Sequence, residues 1–255
     1  MTDGIAARLA LAATMAREAG AFAHGYFRRW RDLEVEDKGP QDLVSEADRL
    51  TEERILRRLR AAFPDDAVVG EETGGEEARD FWLIDPIDGT NNFVRGISYY
   101  CVSIAYVAAG QIEIGAVYDP VLDELFLGRR GGGATCNGRP MRCSDAARVS
   151  DGLFCIGHTP RLPAPPFLGL LGRILTGGGA IRDMGAGALM LAHVADGRFD
   201  AYLEGHMLAY DAAAGLLLCR EAGCETAPYP EGGRYALGGA VIACAPGLWP
   251  ALAMS

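Results

Sequence analysis

The segment WLIDPIDGTNNF, residues 82–93, decides how this chain of 255 residues is interpreted. It continues a short apolar strand that starts at Phe81, and we expect the strand to stop at Asp85-Pro86, because proline fixes φ and has no N–H for the sheet. The chain would then turn, so that Asp85 and Asp88 point into one space. Two carboxylates that close repel each other unless a cation lies between them. The segment therefore predicts a metal site at the end of a buried strand.

The second half of the same segment is suited to binding an anion. Gly89 would let a ligand approach the backbone, and Thr90 can begin a short helix whose free N–H groups face a phosphate. Carboxylates for Mg²⁺ beside N–H groups for phosphate are what metal-assisted hydrolysis of a phosphate ester requires. The alternative is a surface turn in which Asp85 or Asp88 caps a helix.

Two further acidic segments lie beside buried apolar stretches. Glu71 and Glu72 follow a short strand expected at residues 67–69, and Asp211 lies in the segment YDAAAG, residues 210–215. Sheet proteins place their sites at strand ends, so the three segments together favour a metal site. Taken singly, Glu71 and Glu72 would form a solvated loop, and Asp211 would be the N-cap of an Ala-rich helix over residues 211–222.

The rest of the chain mixes helices and strands. Apolar residues at three- and four-residue steps predict a first helix that reaches Phe27, and Ser45 with Asp48 predicts a capping box that starts a second helix. The apolar stripe expected on the second helix consists of Leu50, Ile55, Leu59 and Phe63. An antiparallel meander is expected over residues 100–107, 112–118 and 124–127, followed by helices over 167–176, 186–196 and 211–222 and strands over 199–203 and 240–244. The order predicts an α/β or α+β fold, with an N-terminal α+β subdomain over residues 1–145 and a C-terminal α/β subdomain over residues 146–255.

Composition excludes several classes of protein. The net charge is 24 − 34 = −10, which argues against nucleic acid or an anionic membrane as a partner. No apolar run approaches the ~18 residues of a membrane span. The seven cysteines include no Cys-x-x-Cys pair, which predicts reduced thiols in a cytoplasmic protein. Neither a Gly-x-Ser-x-Gly motif nor a P-loop is present, so the sequence supports neither an α/β-hydrolase nor a P-loop ATPase.

These motifs resemble a known family. Residues 82–93 are similar to the first signature of the inositol monophosphatase family, residues 210–215 resemble its second signature, and residues 70–72 precede the first at the family's spacing. The resemblance extends in element order over nearly the whole chain. It implies a layered α-β-α-β-α sandwich of the inositol monophosphatase and fructose-1,6-bisphosphatase type, usually a homodimer. It also implies two or three Mg²⁺ ions per active site and a small phosphate ester as substrate.

The resemblance assigns roles to individual residues. The Mg²⁺ ligands it implies are the carboxylates of Glu71, Asp85, Asp88 and Asp211 and the backbone carbonyl of Ile87. Gly89 and Thr90 match the phosphate-binding turn, and Asp48 matches the acid that pairs with the threonine hydroxyl. Glu71 and Thr90 would then orient the attacking water. Lys38 matches a position in the family's mobile loop near the third metal.

On the substrate side, Gly185, Ala186 and Gly187 match the stretch that borders the substrate ring, with Asp88 and Asp211 shared between metal and substrate. Glu204 has the spacing of the acceptor for a substrate hydroxyl and favours a polyol such as inositol. The family commonly has Thr or Ser in place of Ala186, so one hydroxyl contact is absent and the identity of the substrate stays open. It commonly has Trp in place of Tyr210, a change between large aromatic residues.

Several functions stay open at this point. Within the family, the candidate substrates are inositol monophosphate, fructose 1,6-bisphosphate and histidinol phosphate. A fourth, less favoured candidate is 3′-phosphoadenosine 5′-phosphate. From another class, the chain could be a binding protein that keeps the fold without catalysis. The intact set of acidic residues with Thr90 favours an enzyme.

Overall fold

The computed structural model describes residues 2–39, 42–159, 162–230 and 234–252. The chain begins with helix α1 (Thr2–Phe27), the strand pair β1 (Val35–Gly39) and β2 (Asp42–Ser45), and helix α2 (Glu46–Ala62). The backbone of Lys38 belongs to β1, and its side chain, on which its predicted role depends, lies outside the described part of the structure.

A seven-stranded sheet follows, in the strand order β3-β4-β5-β6-β7-β8-β9. Its strands are β3 (Ala67–Gly70), β4 (Asp80–Asp88), β5 (Cys101–Ala108), β6 (Gln111–Asp119), β7 (Glu124–Arg129), β8 (Gly133–Cys136) and β9 (Arg139–Pro140), with the short helix α3 (Thr90–Phe93) between β4 and β5. β3 runs parallel to β4, and every other pair is antiparallel. The meander predicted from the alternating apolar residues is present.

The second half of the chain forms a five-stranded sheet in the order β11-β10-β12-β14-β13. Its elements are β10 (Leu153–Gly157), α4 (Ala164–Thr176), β11 (Ala180–Arg182), α5 (Gly187–Ala195), β12 (Ala201–Met207), α6 (Ala209–Glu221), β13 (Glu225–Thr226), β14 (Gly239–Cys244) and α7 (Trp249–Leu252). The boundary that we propose near residue 145 falls between the two sheets.

The elements pack in five layers. α1 and α2 cover one face of the seven-stranded sheet through Ala16, Ile55 and Trp82. α5 and α6 lie between the sheets, and their apolar faces join both sheets in one core, which is why these helices are buried almost all round. α4 and α7 cover the outer face of the five-stranded sheet. This is the α-β-α-β-α sandwich that the resemblance implies. Within the described ranges, no helix has both the length and the hydropathy needed to cross a membrane.

The strand that was expected to end at Asp85-Pro86 instead continues to Asp88. Asp85 lies opposite Ser103 on β5, and Asp88 lies opposite Cys101, so three steps on β4 match two on its neighbour. This extra residue is a β-bulge, and it accommodates the missing N–H of Pro86 inside the strand. In a regular strand, residues three apart point to opposite faces. The bulge places both carboxylates on one face, which the sequence argument had assigned to a turn.

Two other predictions are corrected by the helices. Leu208 is the N-cap of α6, so Asp211 lies in the first turn of this helix and does not cap it. Leu50 on α2 is 37 % exposed, whereas the neighbouring Glu52 is fully buried. Leu50 is exposed because the helical period places it on the opposite side of α2 from Ile55. The buried side of α2 carries both apolar and acidic residues.

Candidate metal and phosphate site

Three elements bring the predicted acidic side chains together. Asp85 and Asp88 end β4, Glu71 follows β3, and Asp211 lies in the first turn of α6. Burial, followed by the charges of Glu71, Asp211 and Asp88, raises the pKa of Asp85 well above its ordinary value. Burial, followed by the charges of Glu71 and Asp88, also raises the pKa of Asp211. The three acidic segments of the sequence therefore meet at one place in the fold.

Hydrogen bonds fix the orientation of the two carboxyls of β4. Asp85 Oδ1 accepts the N–H of Ile87 at 2.9 Å, within the bulge. The two oxygens of Asp88 accept the N–H groups of Gly187 at 3.2 Å and Ala188 at 2.7 Å, at the start of α5. Burial raises the pKa of Asp88 to about 6, and the N–H groups of α5 oppose this shift. Through these two hydrogen bonds, Asp88 links the acidic cluster to the segment that the resemblance places around the substrate.

Thr90 begins α3 within reach of two acceptors. Its Oγ1 lies 3.0 Å from Asp48 Oδ1 and 2.9 Å from the carbonyl oxygen of Ile87. Asp48 is itself held by Ser45, whose N–H and hydroxyl donate to Asp48 Oδ2 at 2.9 and 2.6 Å. The predicted capping box is present, and the same carboxyl also reaches Thr90. Capping and pairing with the threonine hydroxyl, the two roles that the sequence analysis gives Asp48, are therefore compatible.

The turn between β4 and α3 requires glycine. Gly89 has φ +98°, in the left-handed region, and is the N-cap of α3. A Cβ at this position would lie 3.0 Å from Ala186 Cβ and 3.1 Å from the carbonyl oxygen of Tyr99. The backbone of the turn therefore lies directly against the segment around Ala186.

Glu204 is half-buried on β12, and Tyr202 of the same strand donates its O–H to the carboxyl of Glu204. Burial raises the pKa of Tyr202 well above its ordinary value, so the phenol stays protonated and remains a donor. The negative charge of Glu204 also raises the pKa of Asp211. The hydroxyl acceptor that the resemblance implies is thus adjacent to the acidic cluster.

The sequence argument missed three residues that support this site. Asn92 Nδ2 donates to the carbonyl oxygens of Tyr99 at 2.8 Å and Met184 at 2.7 Å, and so ties the turn at residue 89 to the substrate-side segment. Tyr202 orients Glu204, and Glu52 on α2 holds the turn that follows β3. For Glu52, a signal was available, because it lies one helical turn after Asp48 and shares its face.

The donor set suits a hard divalent cation. It consists of oxygen atoms only, from carboxylates and one backbone carbonyl, which is the ligand chemistry of Mg²⁺. Asp85 hydrogen-bonds to Glu71 and to Asp211, and each such bond between carboxyls needs a proton, which relieves the same repulsion that a cation would relieve. Across the described ranges, no three acidic, histidine or cysteine side chains meet at ligand distance from one point. Binding a cation would release the protons that these carboxyls share, because carboxylate ligands bind metal in the deprotonated form.

Comparison with known proteins gives a consistent result. The profile of the inositol monophosphatase family matches residues 6–254. A protein named inositol-1-monophosphatase from Mesorhizobium japonicum is 41 % identical over 213 residues, covering 82 % of this chain and 80 % of that protein. A protein named Nus factor SuhB from Pasteurella multocida is 37 % identical over 244 residues, covering 93 % and 91 %.

The fold comparison agrees with the sequence comparison. The crystal structure of the extragenic suppressor protein SuhB from Bartonella henselae superposes with a TM-score of 0.89 at 35 % identity, covering 96 % of both chains. The chain belongs to the inositol monophosphatase family.

Proposed function

We propose that this protein hydrolyses a small phosphate monoester, with inositol monophosphate as the first candidate, and that it requires Mg²⁺. The observation that carries the proposal is the meeting of Glu71, Asp85, Asp88 and Asp211 beside the Gly89 turn, with the Thr90 hydroxyl held by Asp48. Membership of a family of phosphatases supports the reaction type. The residues that would hold two or three Mg²⁺ ions are these four acids and the carbonyl of Ile87.

In this mechanism Mg²⁺, when bound, neutralises the phosphate and lowers the pKa of the attacking water. Thr90 donates its hydroxyl hydrogen to Asp48 and can accept a hydrogen bond from that water at its oxygen. Glu71 accepts a water proton as the oxygen attacks phosphorus in line with the leaving group. The leaving alkoxide takes a proton from a second water, and the hydroxide so formed takes the proton held by Glu71, so the alcohol, phosphate and a deprotonated Glu71 result. The N–H groups beyond Gly89 face the phosphate oxygens and hold them in place.

We expect Glu204→Gln to discriminate between substrates. It should raise the KM for inositol 1-phosphate about ten- to a hundredfold, which corresponds to the free energy of one charge-assisted hydrogen bond. Hydrolysis of p-nitrophenyl phosphate should stay unchanged, because this ester has no ring hydroxyls. The measurement is steady-state phosphate release with both substrates.

The control for this variant is Glu225→Gln, which changes an exposed acid in β13 of the same sheet and should alter neither substrate. Equal losses of Glu204→Gln on both substrates would show that Glu204 supports the metal site, and its substrate role would be abandoned. No change on either substrate would identify Glu204 as an ordinary surface acid.

The substrate is tested with a panel of phosphate esters in the presence of Mg²⁺. The panel contains inositol 1-phosphate, fructose 1,6-bisphosphate, histidinol phosphate and 3′-phosphoadenosine 5′-phosphate. We expect the largest kcat/KM with inositol 1-phosphate, because Glu204 offers an acceptor for a polyol hydroxyl. A larger value with any other ester would transfer the proposal to that substrate, and no turnover of any ester would overturn it.

A second candidate function follows from the SuhB relatives, which are named Nus factors. Their similarity covers almost the whole chain, so the role of a Nus factor and the hydrolysis proposed here would share one fold. Absence of a nucleic-acid partner therefore stays a prediction from the net charge of −10. The homodimer implied by the resemblance is likewise part of the proposal, and sedimentation velocity would test it.

A further inference from the structure

The acidic residue Glu52 on α2 has no role in the chemistry described above, yet its environment is specific. It is fully buried. Its Oε2 accepts the N–H of Glu72 at 3.0 Å, and its Oε1 accepts the N–H of Thr73 at 2.8 Å. Both donors belong to the turn that follows β3 and begins with Glu71. A buried carboxylate that receives one N–H on each oxygen holds the backbone by two charge-assisted bonds.

The carboxyl of Glu52 packs so closely against the backbone of Gly70 that no side chain fits at that position. A Cβ at Gly70 would meet the carboxyl of Glu52 at 2.6 Å from its Cδ atom. The N–H of Glu71 donates to the carbonyl oxygen of Ile84 on β4 at 3.0 Å, so the turn is fixed to the strand that carries Asp85. The turn is therefore held from two sides, by β4 through Glu71 and by α2 through Glu52.

The same face of α2 carries Asp48, four residues earlier, which is also fully buried and reaches the hydroxyl of Thr90. Residues four apart lie one above the other on a helix, about 6 Å apart along its axis. One rigid helix face thus touches both segments that would orient the attacking water, the turn of Glu71 and the start of α3. The distance between these segments is set by the spacing of two carboxyls on α2.

We propose that Glu52 is a positioning residue that holds the turn of Glu71 in register with the Asp48–Thr90 pair. This inference rests on the function proposed above, since the turn matters for catalysis only if Glu71 binds metal and orients water. Glu52 touches neither substrate nor metal, and it acts through the backbone at residues 71–73. Glu52→Gln keeps the shape of the side chain and places an amide NH₂ against one of the two backbone N–H groups.

The test compares wild type with Glu52→Gln and with the control Thr51→Val. Thr51 is equally buried on the same helix, and its hydroxyl has no hydrogen-bond partner among the described residues. With p-nitrophenyl phosphate, we expect Glu52→Gln to lower kcat about ten- to a hundredfold and to raise the Mg²⁺ concentration for half-maximal rate. KM should change little. Thr51→Val should match wild type in kcat and in Mg²⁺ requirement.

A second readout separates this inference from the proposed function. In metal-free protein, hydrogen exchange of the amides of Glu72 and Thr73 should become faster in Glu52→Gln and stay unchanged in Thr51→Val. Gly70→Ala, which displaces the Glu52 carboxyl without removing it, should accelerate the same two amides. Unchanged exchange in both variants would overturn the positioning role, whether or not the wild type hydrolyses phosphate esters. Faster exchange with wild-type kcat and Mg²⁺ requirement would overturn it as well.

Discussion

Asp85→Asn is expected to reduce phosphate release about a thousandfold while raising the melting temperature of the metal-free protein. Asp85 is 2 % exposed and lies among Glu71, Asp88 and Asp211. The amide keeps an oxygen for the N–H of Ile87 and can donate to Asp211, so it removes a charge from the cluster without breaking the bulge. Activity is lost because the central ligand is lost, and stability rises because repulsion is relieved.

The gain in stability has a defined pH dependence. The folded protein raises the pKa of Asp85, so at neutral pH burying this carboxyl costs stability, whether it stays ionised or takes up a proton, and this cost declines as the pH falls from the folded pKa toward the unfolded one. The advantage of the asparagine variant should therefore shrink between pH 7 and pH 5. For a domain of this size, each kcal/mol relieved adds about 2–4 °C to the melting temperature.

The matched control is Asp80→Asn at the exposed start of the same strand, which should leave both activity and Mg²⁺ binding at wild-type levels. Thermal melts with and without Mg²⁺ and the rate of phosphate release are the measurements. In Asp85→Asn, the Mg²⁺-induced rise in melting temperature should vanish together with activity. Either of two results would contradict this account of the cluster. One is a melting temperature of metal-free Asp85→Asn below that of metal-free wild type, and the other is phosphate release by Asp85→Asn at the wild-type rate.

Thr90→Val should separate catalysis from metal binding. The substitution is nearly isosteric and removes the one hydroxyl that lies within 3.0 Å of both Asp48 and the Ile87 carbonyl. We expect kcat to fall about a hundredfold, since the hydrogen-bond acceptor that orients the water toward Glu71 is lost. The Mg²⁺-induced rise in melting temperature should persist, because the carboxylate ligands are untouched. The melting temperature itself should drop by the equivalent of about 1 kcal/mol for one lost hydrogen bond.

Thr135→Val on β8 provides the control, because it removes a comparable hydroxyl, 3.4 Å from the carbonyl oxygen of Leu127, at a distance from the site. Its kcat should equal that of wild type. A Thr90→Val enzyme with wild-type kcat would remove Thr90 and Asp48 from the mechanism, and the metal assignment would then stand without them.

Local patterns in the sequence predicted the features that depend on neighbouring residues. The capping box at Ser45 and Asp48, the Gly89 turn and the meander all follow from interactions within a few residues, and each is present. The strand end at Asp85-Pro86 was wrong because the rule for proline in strands does not consider a bulge. That bulge is defined by the pairing of β4 with β5, which no local pattern records.

Features that depend on packing between distant segments were less accessible. Asp211 in the first turn of α6 resembles a helix cap in the sequence, and only the position of Leu208 settles where the helix begins. The sequence places Glu52 on the same helix face as Asp48, but the backbone N–H group that it binds lies 20 residues away in the chain, so its contact with the turn after β3 could not be predicted. The approach of Gly187 and Ala188 to Asp88 spans about 100 residues and follows from the meeting of the two sheets.

The central claim is that the buried acids work as a metal-dependent phosphatase site, and one measurement tests it most directly. Protein stripped with EDTA is assayed for inorganic phosphate released from inositol 1-phosphate, before and after Mg²⁺ is restored. The account predicts no release from the stripped protein and full recovery with Mg²⁺. Release at the same rate without the metal, or no release with Mg²⁺ present, would contradict it.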